Sequence, residues 1–240
     1  MRGYFPEYQS VAEKKAKAAK AAAKLLKKDP EAQPVRIEGT KLAKTWWATA
    51  WNQNLERYSD YSNRLGRGKS YVRQGMVIDL RIAEGLISAQ VVGSARTPYC
   101  VVITVDKLSP SKWQKLSKQC ANKLGGLSEL LSGKFPEELR DLFFDKSSGL
   151  FPSPKEIHMD CSCPDWAEMC KHVAAVLYGV GARLDENPLL FFTLRGIPFQ
   201  ELLQKTADEK VQSLLQNAGK KTKRTLDASR VTELFGVELK

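Results

Sequence analysis

A chain of 240 residues, 42% hydrophobic and 27% charged, can bury a substantial core, and this composition excludes whole-chain disorder. No run approaches the roughly 18 apolar residues of a membrane span, so no membrane association is expected. Lys and Arg number 38 against 27 for Asp and Glu, giving a formal charge of +11, which attracts polyanions and equally serves solubility.

The stretch from Ala12 to Lys28 is Ala/Lys-rich and predicts a helix, closed by Asp29-Pro30. It lacks the apolar centre of a secretory signal, and a transit peptide would be richer in Arg and Ser. The expected location is the cytoplasm, with nucleoid association open to so basic a chain. After a linker through Pro34, Leu42, Trp46, Trp47, Ala50, Trp51 and Leu55 recur near helical spacing between Thr40 and Tyr58. Packing demands that spacing, so the tryptophans read as core anchors.

A basic loop is expected from Arg57 to Arg73. Three β-rich stretches follow, Met76 to Ile82, Leu86 to Val92 and Tyr99 to Val105, with turns at Glu84-Gly85 and Gly93 to Pro98, which predicts an antiparallel meander. Ser109-Pro110 opens a helix to about Lys123, and Pro136 opens another carrying Leu139, Leu142 and Phe143. Phe151-Pro152-Ser153-Pro154 marks a boundary, followed by a short strand from Lys155 to Met159, a cysteine cluster and a helix from about Lys171 to Leu184. Asn187-Pro188 and Ile197-Pro198 open further short helices, and the tail carries Lys220, Lys221, Lys223 and Arg224.

The cluster holds Cys161, Cys163, Cys170 and His172, three thiols and one imidazole, the ligand types of a tetrahedral zinc site. Crowding of three of the five cysteines suits metal ligation better than disulfides, while Cys100 and Cys120 read as buried thiols. Cys161 and Cys163 project to the same side of an extended segment, and Pro164-Asp165 favours an immediate turn. Two helical residues two apart point roughly 200° away from each other, so Cys170 should precede the helix and His172 occupy its first turn. Three thiolates and a neutral imidazole leave a net charge of −1, which the helix N-terminus and Lys171 would offset. His158 is a weaker substitute for His172, because a strand residue there faces elsewhere.

Four protein ligands leave no position for an activated water, so one structural zinc ion is expected rather than a catalytic one. The zinc deaminase signature is missing, no G-x-S-x-G occurs, and two histidines cannot serve both this site and a triad. Gly68-Lys69-Ser70 echoes the end of a phosphate-binding loop, yet Asn63 stands where that loop requires glycine. A non-catalytic protein is therefore expected.

The Cys-x-Cys, six residues, Cys-x-His arrangement, preceded by a strand and ending at an apolar helix, resembles the SWIM zinc finger over about Glu156 to Leu184. Lys44-Thr45-Trp46-Trp47, the stretch Asn63 to Tyr71, and Leu234-Phe235-Gly236-Val237 are similar to the small bacterial SWIM-domain proteins, whose genes often accompany Swi/Snf-type helicase-like ATPases. The resemblance implies zinc binding by Cys161, Cys163, Cys170 and His172 and a role in contacting DNA or proteins, and it implies no established enzymatic activity.

Arg57, Arg64, Arg67, Lys69 and Arg73 surround Tyr58, Tyr61 and Tyr71, a mixture suited to phosphates and bases; composition alone reads equally as a solvated turn. Arg64, Arg67, Lys69, Tyr71 and Arg73 are the candidate nucleic-acid contacts, with DNA expected above RNA. The alternative is a protein adaptor docking onto a helicase-like ATPase. The expected fold is α+β in three parts: a helical arm and linker over 1–34, a mixed domain with an antiparallel sheet over 35–150, and the zinc finger with C-terminal helices over 151–240.

Overall fold

The computed structural model describes residues 10–57, 62–121, 140 and 149–201, with single positions at 204, 208, 211–212 and 215–216. Tyr58, Tyr61, the side chain of Cys120, the helix expected from Pro136, and the tail with Lys220 to Arg224 and Leu234 to Val237 lie outside these.

Helix α1, Val11–Lys28, starts in a capping box in which the Ser10 hydroxyl accepts from the Glu13 amide and the Glu13 carboxylate accepts from the Ser10 amide. Its Ala18, Ala21, Ala22 and Leu25 pack towards the core. Helix α2, Trp46–Glu56, is shorter than the Thr40 to Tyr58 segment, because Thr45 caps it with a side chain that accepts from the Ala48 amide.

The meander forms as expected. Strands β1 (Val77–Ala83), β2 (Leu86–Val91) and β3 (Tyr99–Val105) pair antiparallel, with Gly85 at φ 67° in the tight β1–β2 turn. Strand β4, Ile157–Cys161, completes the sheet in the order β1-β2-β3-β4 and places Cys161 opposite Val101. It starts two residues later than expected, since Pro154–Glu156 forms a 3-10 turn, and it runs into the first cysteine of the cluster. At the opposite edge the Val35 amide donates to Val77 and the Leu80 amide to Gln33, so the linker covers β1.

One sheet face carries Leu80, Ile87, Ala89, Val101 and Ile103, all buried. Against that face lies helix α5, Lys171–Glu186, whose middle is buried all round. Trp51 is fully buried and its indole donates to the Leu177 carbonyl at 3.0 Å; Trp47 donates to Leu184 at 2.9 Å. The Lys44 and Thr45 amides and the Thr45 hydroxyl all donate to Asp185, which joins the start of α2 to the end of α5. Helix α4, Pro110–Ala121, and the short α6, Leu190–Leu194, follow, with Phe191 edge-on to Trp51, and the described residues from Phe199 onward are again helical.

Two expectations are corrected. The basic segment is not a loop over its described part: Ser62–Arg73 is helix α3. Its glycines and polar residues argue against a helix locally, but tertiary packing decides. Gly68 lies so close to α5 that an added Cβ would sit 2.6 Å from the Ala174 Cβ, an approach only glycine permits. Cys100 is exposed, since Val101 takes the inward position and its neighbour on the strand must face out.

Candidate metal centre

The four ligand atoms come from three local structures. Strand β4 delivers Cys161, the bend after it carries Cys163, and Cys170 is the N-cap of α5 with extended backbone, which puts His172 at the second helical position. The spacing argument for Cys170 and His172 thus matches the observed helix start. Cys170 and His172 are buried, Cys161 and Cys163 partly so.

All four donors lie within 4.8 Å of one another. Nδ1 of His172 is 3.8 Å from the Cys161 sulfur and 3.9 Å from the Cys170 sulfur. A tetrahedral zinc with ordinary bond lengths implies S···N edges of about 3.6 Å and S···S edges of about 3.8 Å. The donor set and its spacing fit one zinc ion, with Nδ1 as the imidazole ligand. His158 is exposed on β4 and faces away from Cys161, so it takes no part.

The thiols are electrostatically unequal. Cys170 is held well below the usual thiol range because the Cys161 thiol donates to it, and His172 and the first amides of α5 add to this against the effect of burial. Cys161 is pushed up by that same donation and by burial, and Cys163 by burial. One thiolate favoured by its neighbouring thiol, with help from His172 and the helix N-terminus, is a starting point for a site that needs three. Bound zinc would supply the charge that keeps all three deprotonated.

Around the ligands is a shell that the sequence did not reveal. The His172 imidazole sits between Tyr99, 4.4 Å away between ring centroids, and Tyr71, 5.5 Å away and edge-on. Gly93 leaves room for this: a Cβ there would fall 2.4 Å from the Tyr99 ring and 3.0 Å from Nε2 of His172. Lys17 of α1 donates to the Gly93 carbonyl at 2.7 Å, linking the basic helix to the turn behind the metal ligand. Arg64 reaches from α3 to Asp165 in the knuckle at 3.1 Å, with both side chains largely buried.

The candidate nucleic-acid residues therefore occupy different settings. Arg64 pairs with Asp165 and Tyr71 packs on His172; Tyr71 itself is raised chiefly by burial. Lys69 pairs with Glu56 at 2.8 Å and lies over the Tyr178 ring. Burial acts to raise Glu56, but the hydrogen bonds from Lys69 and Tyr178 outweigh it and leave the carboxyl below its ordinary range. Arg67 and Arg73 are exposed, and Arg73 donates to the Thr40 carbonyl at 3.2 Å. Gly68, in the middle of α3, lines no phosphate loop.

A strand, a cysteine-bearing bend and a helix that starts at the third cysteine, closing on one Cys3His cluster, define a zinc-finger protein with a structural metal. The family model described as SWIM zinc finger matches residues 154–180. Over 187 residues the chain is 36% identical to "Uncharacterized protein Rv2102" of Mycobacterium tuberculosis, an alignment that covers 74% of this chain and 67% of that protein. The chain belongs to the SWIM zinc finger proteins and shares a family with that mycobacterial protein. No solved structure matches it. Among the described residues no helix is long and apolar enough to cross a membrane.

Proposed function

We propose that this chain is a non-catalytic zinc protein that binds nucleic acid, DNA above RNA, through basic surfaces outside the metal centre. The observation that carries this reading is the charge of α1. Lys14, Lys15, Lys17, Lys20, Lys24, Lys27 and Lys28 share one helix with a single acid, Glu13, which is held in the Ser10 capping box. Lys15, Lys20, Lys24 and Lys27 are exposed, and Arg67 and Arg73 of α3 add exposed cations. The metal supports the fold rather than chemistry, because four protein ligands leave it no position for water.

Fluorescence anisotropy of labelled single- and double-stranded DNA and RNA, titrated with zinc-loaded protein at several salt concentrations, tests the reading. Contacts to phosphates release counterions, so affinity should fall steeply with salt. Absence of binding to all four probes refutes it.

One observation favours a second reading, an adaptor for a helicase-like ATPase. Trp166, in the knuckle between Cys163 and Cys170, is 76% exposed, and an aromatic side chain at such a place is a typical binding hot spot. Under this reading Trp166→Ala abolishes binding to the ATPase, and salt has little effect.

A further inference from the structure

A groove of about 370 Å³ lies between α1, the linker segment 34–37 and the end of α3. Its floor is aliphatic, built from Ala18, Ala22 and Val35 among others, and its charged lining residues are Lys15, Arg36 and Arg73. None of the residues that line it is acidic, and none of the four metal ligands lines it. Lys15 and Arg36 are exposed, and their side chains make no ion pair or hydrogen bond among the described residues; the Arg73 guanidinium donates to a backbone carbonyl. Two guanidinium groups and an ammonium around an apolar floor, with no carboxylate among the described lining residues, suit a ligand with both anionic oxygens and an apolar body.

We infer that this groove is a binding site for single-stranded nucleic acid, seating about one nucleotide with its phosphates on Lys15, Arg36 and Arg73. The inference rests on the nucleic-acid reading above and narrows it. Size selects the single strand: the volume lies at the lower end of the roughly 300–1,000 Å³ range of small-molecule sites, and a duplex is a convex rod that cannot enter. A single strand can turn one sugar and base onto the alanine floor while its backbone stays at the rim.

The test uses the full-length, zinc-loaded protein with a fluorescein-labelled dT oligomer and a duplex of equal length, read by anisotropy over a salt series. Two variants probe the groove, the triple change K15A/R36A/R73A and Ala19→Trp, which fills an exposed position of the wall without altering charge. Circular dichroism and zinc content check that both fold. Wild type should prefer the single strand, and each variant should weaken it by about tenfold or more; the triple variant should also flatten the log–log salt dependence by about two units. If wild type binds the oligomer and both variants bind it equally well, the groove assignment is overturned while the nucleic-acid reading stands. Tighter duplex binding by wild type overturns the choice of single strand. If wild type binds neither probe, the nucleic-acid reading fails and the groove assignment with it. Groove-dependent binding of poly-L-glutamate without binding of the oligomer assigns the groove to an acidic polypeptide instead.

Discussion

Gly66 and Gly68 lie two residues apart in α3, yet replacing them with alanine should move stability in opposite directions. At Gly66 an added Cβ meets nothing within 4 Å, so Gly66→Ala gains only the helix preference of alanine, about 0.5–1 kcal/mol. At Gly68 it would meet the Ala174 Cβ at 2.6 Å and, at 3.0 Å, the Ala174 carbonyl carbon and the Ala175 amide nitrogen. Two of those neighbours are backbone, which no rotamer change can move, so α3 and α5 must separate. Overpacking of this kind costs about 1–3 kcal/mol, and a contact against backbone belongs in the upper half of that range. Subtracting about 1 kcal/mol of helix preference leaves a net loss of about 1–2 kcal/mol. A chain of this size shifts by about 2–4 °C per kcal/mol, so Gly68→Ala should lower Tm by about 2–8 °C and Gly66→Ala raise it by about 1–4 °C. Thermal melts followed by circular dichroism in excess zinc measure both. A Gly68→Ala protein as stable as Gly66→Ala would refute the close packing of α3 on α5.

Cys163→Ser should lose most of the bound zinc, measured as metal per chain after dialysis, and a variant with full stoichiometry refutes the ligand assignment. Tyr99→Ala removes the ring 4.4 Å from the ligand imidazole and should weaken zinc retention against a chelator by about tenfold, while Tyr99→Phe retains it; equal retention by all three proteins would mean that the ring does not orient His172. Arg195 is fully buried and donates to Glu156 at 2.9 Å, so Glu156→Ala should cost about 3–5 kcal/mol in denaturant unfolding by leaving that charge without its carboxylate. Burial opposes ionisation of Glu156, but bonds from Ser153 and Arg195 outweigh it and hold the carboxyl at about 2, below an ordinary 4.5. A depressed folded-state value contributes stability that is complete above about pH 4.5 and is lost as pH falls towards 2; acid unfolding of wild type should show this loss, and Glu156→Ala should lack that component.

The cluster was legible because its four donors fall within twelve residues and local geometry alone places them: an extended pair, a turn, and a helix that must start at Cys170. The meander was legible for a similar reason, since alternation and turn residues act over a few positions. Contacts between distant segments were not legible. Residues 62–73 read as a loop because Gly66, Gly68 and their polar neighbours have poor helix preference, and what offsets this is Ala174, more than a hundred positions away. The clamp on His172 joins Tyr71, which the sequence pointed to only as a nucleic-acid contact, with Gly93 and Tyr99, which no motif marks. Cys100 was misread because its apolar neighbours face the core while the pleat turns it outward.

These distant contacts explain why a chain with a sizeable core also contains a metal site. Strand β4 is the edge of the sheet and α5 is its central helix, so the bend from Ser162 to Met169 must reverse the chain between two elements that are already fixed. That bend buries only Ala167 and Met169, too little apolar surface to hold it. A zinc ion bound at both ends of the bend replaces the missing packing with coordination bonds, and its ligands are anchored by β4 and α5. The same residues tie in α3, through Arg64 to Asp165 and Tyr71 to His172, so the helix that carries Arg67 and Arg73 is oriented partly by the metal centre. Packing on α5 at Gly68 sets the position of α3, and these two contacts to the metal centre add to it, so zinc bound there would help to hold basic surface that it does not touch.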